Sequence, residues 1–315
     1  MNLTNTKPNN SAGIGGGRSF RVKLKRQWPL YFMLLPGVAA IFIFNYVPLY
    51  GIIIAFQRYN VAMGFNSPWV GMDNFTHLFS QPNFVRTIWN TLFIALWKIV
   101  LMIIIPVFFS LLLNELRNRF FKRTLQTLIY IPHFMSWVIM AGILTEILAP
   151  TGIVNQFLGI FGVEPIWFLG DERVFPWTMI ISDVWRSFGF GTVIYLASLA
   201  SIDPGLYEAA AMDGARRWKQ TLYITLPMMM PIIMLMTILS MSNVLNAGFD
   251  QIFNLYSPIV YSTGDIIDTY IFRVGIEHAQ FSLGAAVGLF RAVISGILIA
   301  ASFYLADRFA GYRVF

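Results

Sequence analysis

Six stretches of this chain are each long and apolar enough to cross a lipid bilayer: Trp28 to Phe56, Ile88 to Leu113, Leu125 to Leu148, Phe175 to Ala200, Ile224 to Phe249 and Ser282 to Ala306. A crossing helix needs about 20 predominantly apolar residues, because the hydrocarbon core is about 30 Å thick and each helical residue rises about 1.5 Å. In hydrocarbon every backbone polar group must be satisfied within the protein, which leaves helices and closed barrels as the spanning structures. The ten-residue alternation of a barrel is absent, and unbroken runs such as "LMIIIPVFFSLLL" do not fit one. The sequence thus predicts an all-α, polytopic membrane protein with six transmembrane helices. Its 12% of charged residues, against about 25% in soluble domains, excludes an ordinary water-soluble globule.

Basic loops resist translocation, so the distribution of Lys and Arg predicts orientation. Fifteen basic residues fall before the first span, between spans two and three, between spans four and five, and after the sixth; the opposite loops hold four, with eight acids. Both termini are therefore expected in the cytoplasm. The net charge of +7 is mostly this signal, with some attraction to anionic headgroups; no aromatic-interleaved basic patch points to nucleic acid. With no cysteine, disulfides and thiolate metal sites are excluded. His77, His133 and His278 lack metal-ligand spacing, no nucleophile or acid/base set stands out, and no Gly-Lys-Ser/Thr phosphate loop occurs. Residues 1–19 have the polar, glycine-rich composition of a disordered tail. Pro36, Pro48, Pro106, Pro132, Pro227 and Pro231 predict kinks or breaks, and the small residues of "GAAVGLF" and "SGILIAAS" predict close helix packing.

The most informative polar segment is "EAAAMDGARRWKQTLYITLP", Glu208 to Pro227. Asp203 can cap a helix that starts at Pro204, Ala209 to Ala211 favour helix, and Gly214 allows a sharp turn. Beyond it Ala215, Trp218, Leu222 and Leu226 share one helical face, while Arg216, Lys219 and Gln220 point elsewhere. A helix, a bend and a second, amphipathic helix are expected at the cytoplasmic surface. Three uses are open: a helix lying on lipid, a solvated connection, or an element docked in a protein groove. Glu208 and Asp213 would be repelled by an anionic leaflet.

Glu208-Ala209-Ala210, Asp213-Gly214-Ala215 and Ile224, Leu226, Pro227 resemble, in order and spacing, the EAA motif of binding-protein-dependent ABC importer permeases; Thr221 departs from it where an aromatic is common. "YIPHFMSWVIMAGIL", "LASLASIDPGLYEAA" and "FDQIFNLYSPIVYSTGDIIDTYIFRVG" are similar to the carbohydrate-uptake, MalF-like permeases, in particular the LplB-type subfamily for oligosaccharide and polysaccharide fragments. The resemblance implies a type I importer (MetI-like) permease fold. Its parts would be a cytoplasmic tail, 1–27; a first transmembrane helix, 28–56; a five-helix core, 84–306, with a coupling loop at 203–227; and a C-terminal tail, 307–315. It also implies a second permease subunit, two cytoplasmic ATPase subunits holding ATP and Mg, and an extracytoplasmic solute-binding protein landing on the outer loops Tyr59–Pro82 and Ser257–Phe281. Glu208, Ala209, Ala210, Asp213, Gly214, Ala215, Arg216 and Trp218 would couple to the ATPase.

Lys98, Glu146, Asp183, Arg186 and Arg291 lie inside the predicted spans, where charge is costly and must face protein or water. Asp183 stands three residues before Arg186 and could pair with it. Either these groups neutralise one another, or the excess of base over acid lines a path that attracts carboxylated sugars. Asn243, Asn246 and Asp250 would form one polar stripe on the fifth span, joining helices or contacting sugar hydroxyls. Trp97, Trp185, Phe188 and Phe190 could stack on sugar rings, or pack. An ion- or proton-coupled carrier would also use buried charge, but leaves Glu208 to Pro227 without a purpose.

Overall fold

The computed structural model describes residues 20–241 and 244–310. The glycine-rich tail at 1–19 and Asn243 lie outside the described residues. Among those described there is no strand, only two isolated bridges, Gln57 with Trp69 and Asn60 with Gly64. The helices are α1 Phe20–Ile41, α2 Asp73–Ser80, α3 Pro82–Glu115, α4 Arg119–Tyr130, α5 Trp137–Ile147, α6 Ile153–Ile160, α7 Phe175–Ala200, α8 Pro204–Met212, α9 Arg217–Gln220, α10 Leu226–Met241, α11 Phe249–Leu255, α12 Tyr261–Gly264, α13 Ile267–Ile271 and α14 Phe281–Ala310.

Two compact units separate at residue 52. In the first, α1 runs on through a wider turn at Phe42–Tyr46 into Val47–Phe56, and from Gln27 to Phe56 it is long and apolar enough to span. From Gln27 to Tyr50 every residue but Ala39 is exposed, as in a helix facing lipid. In the second unit α3 is the spine. At 34 residues it measures about 51 Å, and it packs along α7 with Ile94, Ala95, Met179 and Ile180 buried between elements. A second cluster joins Phe84 of α3 to Ile267, Tyr270, Ala286 and Val287, and a third joins Tyr195 and Leu199 to Met229 of α10. Gly284 bears out the expected close packing, since a Cβ there would stand 2.7 Å from the Gly275 Cα, but Gly288 and Gly296 face open space.

Among the described residues four helices are long and apolar enough to cross, five if one bent pair counts as a span. The fourth expected span, α7, has the length at 26 residues, but Asp183, Arg186 and its small polar residues dilute its apolar character. Two expected spans are not continuous. Leu125 to Leu148 is broken: Arg119–Phe134 and Trp137–Ile147 meet at 106°. Met135 is extended there, and Ser136 caps α5, its hydroxyl accepting from the Ile139 N–H at 3.3 Å. The fifth span starts earlier, at Arg217, and has given way to a turn by Val244, short of Phe249. Residues 246–248 are non-helical and Gly248, at φ 95°, turns the chain into α11. The single helical stripe of Asn246 and Asp250 therefore does not exist, because a non-helical segment precedes α11.

Candidate functional site

At the end that carries the basic loops, α8 and α9 form an elbow. Asp203 caps α8, its Oδ1 accepting from the Gly205 N–H at 2.9 Å, with Pro204 in the first turn. The far end closes by paired bonds: the Gly214 N–H donates to the Ala211 carbonyl at 3.0 Å and the Ala215 N–H to the Ala210 carbonyl at 2.9 Å. This Schellman closure needs a left-handed residue, which Gly214 supplies at φ 77°. Arg216 is extended and starts a helix that continues unbroken from Arg217 to Met241. The Tyr207 hydroxyl bonds the Thr225 hydroxyl at 3.0 Å, and Gln220 donates to the Ala215 carbonyl at 3.1 Å, so the two arms are braced.

α8 buries none of its residues. Glu208, Ala209 and Asp213 are exposed, Ala210 and Ala215 half-buried, Arg216 exposed, and Met212 at the tip is 89% exposed. The expected face of Ala215, Trp218, Leu222 and Leu226 is only partly covered by this chain: Ala215 and Leu226 are half-buried, Trp218 is 76% exposed, and Thr225 and Met229 turn inward. The knuckle is ordered and presents both apolar and acidic side chains outward. The sequence did not disclose Glu115, whose carboxylate holds Arg217 at 2.7 Å and ties α9 to the end of α3.

Inside the bundle the charges pair differently from the expected i, i+3 contact. Asp183 serves Lys98, at 3.3 Å, not Arg186. The buried Lys98 ammonium also donates to the Ala247 carbonyl at 2.8 Å and to Gln251 Oε1 at 2.5 Å, so its three protons face three acceptors. Gln251 in turn donates to the Met179 carbonyl and the Ser182 hydroxyl, each at 2.8 Å. Arg186 instead donates to the carbonyls of His133 and Met135, where α4's continuation ends, and lies 4.7 Å over the Trp137 ring. A cation at the exposed carbonyls of a helix end is electrostatically favoured.

Arg291 pairs with Asp268 at 2.6 Å. Burial pushes the Asp268 carboxyl above its usual range, and Arg291 pulls the other way. The pair lines a vestibule of about 540 Å³ together with Asn246, Asp250, Phe249 and Trp137. Three expected path residues, Asn246, Asp250 and Arg291, thus come together, while Lys98 and Asp183 lie behind Gly248: a Cβ on Gly248 would be 3.0 Å from the ammonium. The expected excess of base is reduced, since Asp268 from outside the spans neutralises Arg291. Among the described residues Arg186 alone of the three bases has no carboxylate within ion-pair distance. Of the two uses open to the span aromatics, packing is the one that three of them take. Trp97 packs on Trp177, Phe188 on Phe109 and Phe190 on His133, and Trp185 lines a separate apolar cavity; Trp137, Phe249 and Phe272 line the vestibule.

Asp265 and Arg273 form a bidentate pair, with Thr269 and Thr87 donating to the same carboxylate and the guanidinium 4.2 Å over the Tyr261 ring. Burial works against the Arg273 charge, but the bonds from Asp265 outweigh it and hold the guanidinium more firmly protonated. No group of three or more potential metal ligands occurs among the described residues.

Residues 102–312 match the family described as binding-protein-dependent transport system inner membrane component. The polygalacturonan/rhamnogalacturonan transport system permease protein YteP of Bacillus subtilis is 41% identical over 91% of this chain and 90% of its own length. Protein LplB of the same organism is 39% identical over 94% and 93%. The crystal structure of a bacterial ABC transporter involved in the import of the acidic polysaccharide alginate contains a chain that superposes with a TM-score of 0.85, at 36% identity over 92% of this chain and 98% of that one. The helical fold and these matches agree: the chain is a multi-pass transport subunit, not an enzyme, and belongs to the inner membrane permease family of binding-protein-dependent ABC transporters.

Proposed function

We propose that this permease imports acidic oligosaccharides, working with a second permease subunit, two cytoplasmic ATPase subunits that hold ATP and Mg, and an extracytoplasmic solute-binding protein. The observation that carries the substrate class is the 36% identity, over nearly the whole of both chains, to a transporter of the acidic polysaccharide alginate. Both termini and the α8–α9 elbow lie in the cytoplasm, as the basic loops favour. Glu208, Asp213 and Met212 enter an ATPase cleft, Gly214 keeps the knuckle bent, and the unbroken helix from Arg217 to Met241 carries the stroke to the loop at 246–248. The vestibule receives the sugar: Trp137 and Phe249 offer ring faces, Asn246 and Asp250 meet hydroxyls, and Arg291 exchanges Asp268 for a sugar carboxylate. Burial makes Asp268 a reluctant anion, which eases that exchange.

The test is uptake by the reconstituted importer of matched neutral and acidic oligosaccharides in Arg291→Ala and Arg186→Ala. Preferential loss of the acidic sugar is expected, by about tenfold or more for one charge-assisted contact. Equal loss of both sugars, or no loss, rejects the charge reading. Uptake that persists without any ATPase would reject the importer and favour an ion-coupled carrier.

A further inference from the structure

A groove of about 730 Å³ runs between the end of α3 and the start of the long helix at Arg217, lined by Phe108, Leu112 and Leu116 on one side and Trp218 and Leu226 on the other, with Arg117 at its mouth. We propose that this groove binds an anionic phospholipid of the cytoplasmic leaflet, its acyl chain along Phe108 and Leu112 and its phosphate at Arg117 and Arg217. This rests on the orientation given above.

The depth of the groove selects the occupant. Phe108 stands seven residues from Glu115 on one continuous helix, about 10 Å farther into the membrane. A cytoplasmic protein does not reach that level, whereas an acyl chain does. Phe108 and Leu112 are about half exposed, so the wall is uncovered by this chain. The mouth has the complementary charge and the aromatic residue typical of a headgroup layer: Arg117 has no carboxylate within ion-pair distance among the described residues, Arg217 shares only Glu115, and Trp218 is exposed beside them. Guanidinium groups bind phosphate oxygens with directed, charge-assisted hydrogen bonds. Arg216 and Lys219, both exposed, add to the positive field.

The assembled importer is purified with its companion subunits into nanodiscs of phosphatidylcholine with or without phosphatidylglycerol, and retained lipid is counted by native mass spectrometry. Retention of phosphatidylglycerol over phosphatidylcholine is expected, about fivefold weaker in Arg117→Gln and strongly reduced in Leu112→Trp, which fills the wall. Glu115→Gln, which frees Arg217, is expected to raise retention. Unchanged retention in Arg117→Gln and Glu115→Gln overturns the proposal, and both are exposed positions that leave folding intact. Crosslinking of Leu112→Cys to the companion permease or an ATPase, in place of lipid, overturns it as well. Oligosaccharide uptake is followed in parallel: a wild-type importer that moves no sugar in any lipid sinks the functional reading, while unaltered lipid counts sink the groove alone.

Discussion

Lys98 shows how one side chain can fix a non-helical stretch of the backbone. Its ammonium spans Asp183 on α7, the Ala247 carbonyl before α11 and Gln251 within it. Removing one partner of a buried pair costs about 3–5 kcal/mol, because the other charge stays behind; Asp183 is a quarter exposed, so the lower end applies. Lys98→Met is expected to lower the melting temperature of the detergent-purified protein clearly, and Lys98→Met with Asp183→Asn by less than the two single changes combined. Gly248→Ala should cost about 1–3 kcal/mol by the same measurement, since it places a Cβ at φ 95° against the ammonium. For Asp268 the sign follows from its raised pKa: the stabilisation is full below the ordinary aspartate range and is lost as pH rises through the raised value. Asp268→Asn is expected to flatten that dependence in melts from acid to neutral pH. The sequence showed that Lys98, Asp183, Arg186 and Arg291 must be satisfied, but not by whom. Pairing between distant segments, and the contribution of Asp268 from an outer loop, are properties of the packed bundle.

At the level of elements, local chemistry was legible and breaks within apolar runs were less so. Asp203, Pro204 and Gly214 announced a capped helix and a turn, and the structure has both within a residue. Hydropathy reports apolar length and not straightness, so Leu125 to Leu148 looked like one rod. Pro132 removes an amide donor, Ser136 offers a cap, and Arg186 from α7 takes the carbonyls released at the break. Ser136→Ala is expected to destabilise α5 by about 1 kcal/mol, and Arg186→Met to raise the amide exchange rate around residues 133–136. Gly214→Val forces a branched side chain into left-handed backbone. Its expected result is a folded permease that loses ATPase co-purification and uptake together; retention of both would remove the elbow from the coupling path.

At the level of the whole chain, no residue before Ala55 belongs to the described hydrophobic core. The unit from residue 53 onward carries all three core clusters, the elbow and the vestibule. A chain lacking residues 1–52 is therefore expected to keep the helical content of the remainder and its association with the ATPase, read by circular dichroism and co-purification. Composition and the spacing of basic residues sufficed for membrane class and orientation, because both are summed over many residues. The vestibule was not legible in the same way, since its walls come from α5, α11, α13 and α14.

The absence of any buried face on α8 has a mechanical corollary. Nine residues held by their end closures and a few braces have little rigidity of their own. A push delivered there travels onward only while a partner clasps the knuckle on its open sides. If the elbow docks on an ATPase as proposed, the stiffness of this lever is borrowed: a transporter that has shed its motor would hold a slack handle, and so could not be worked by accident.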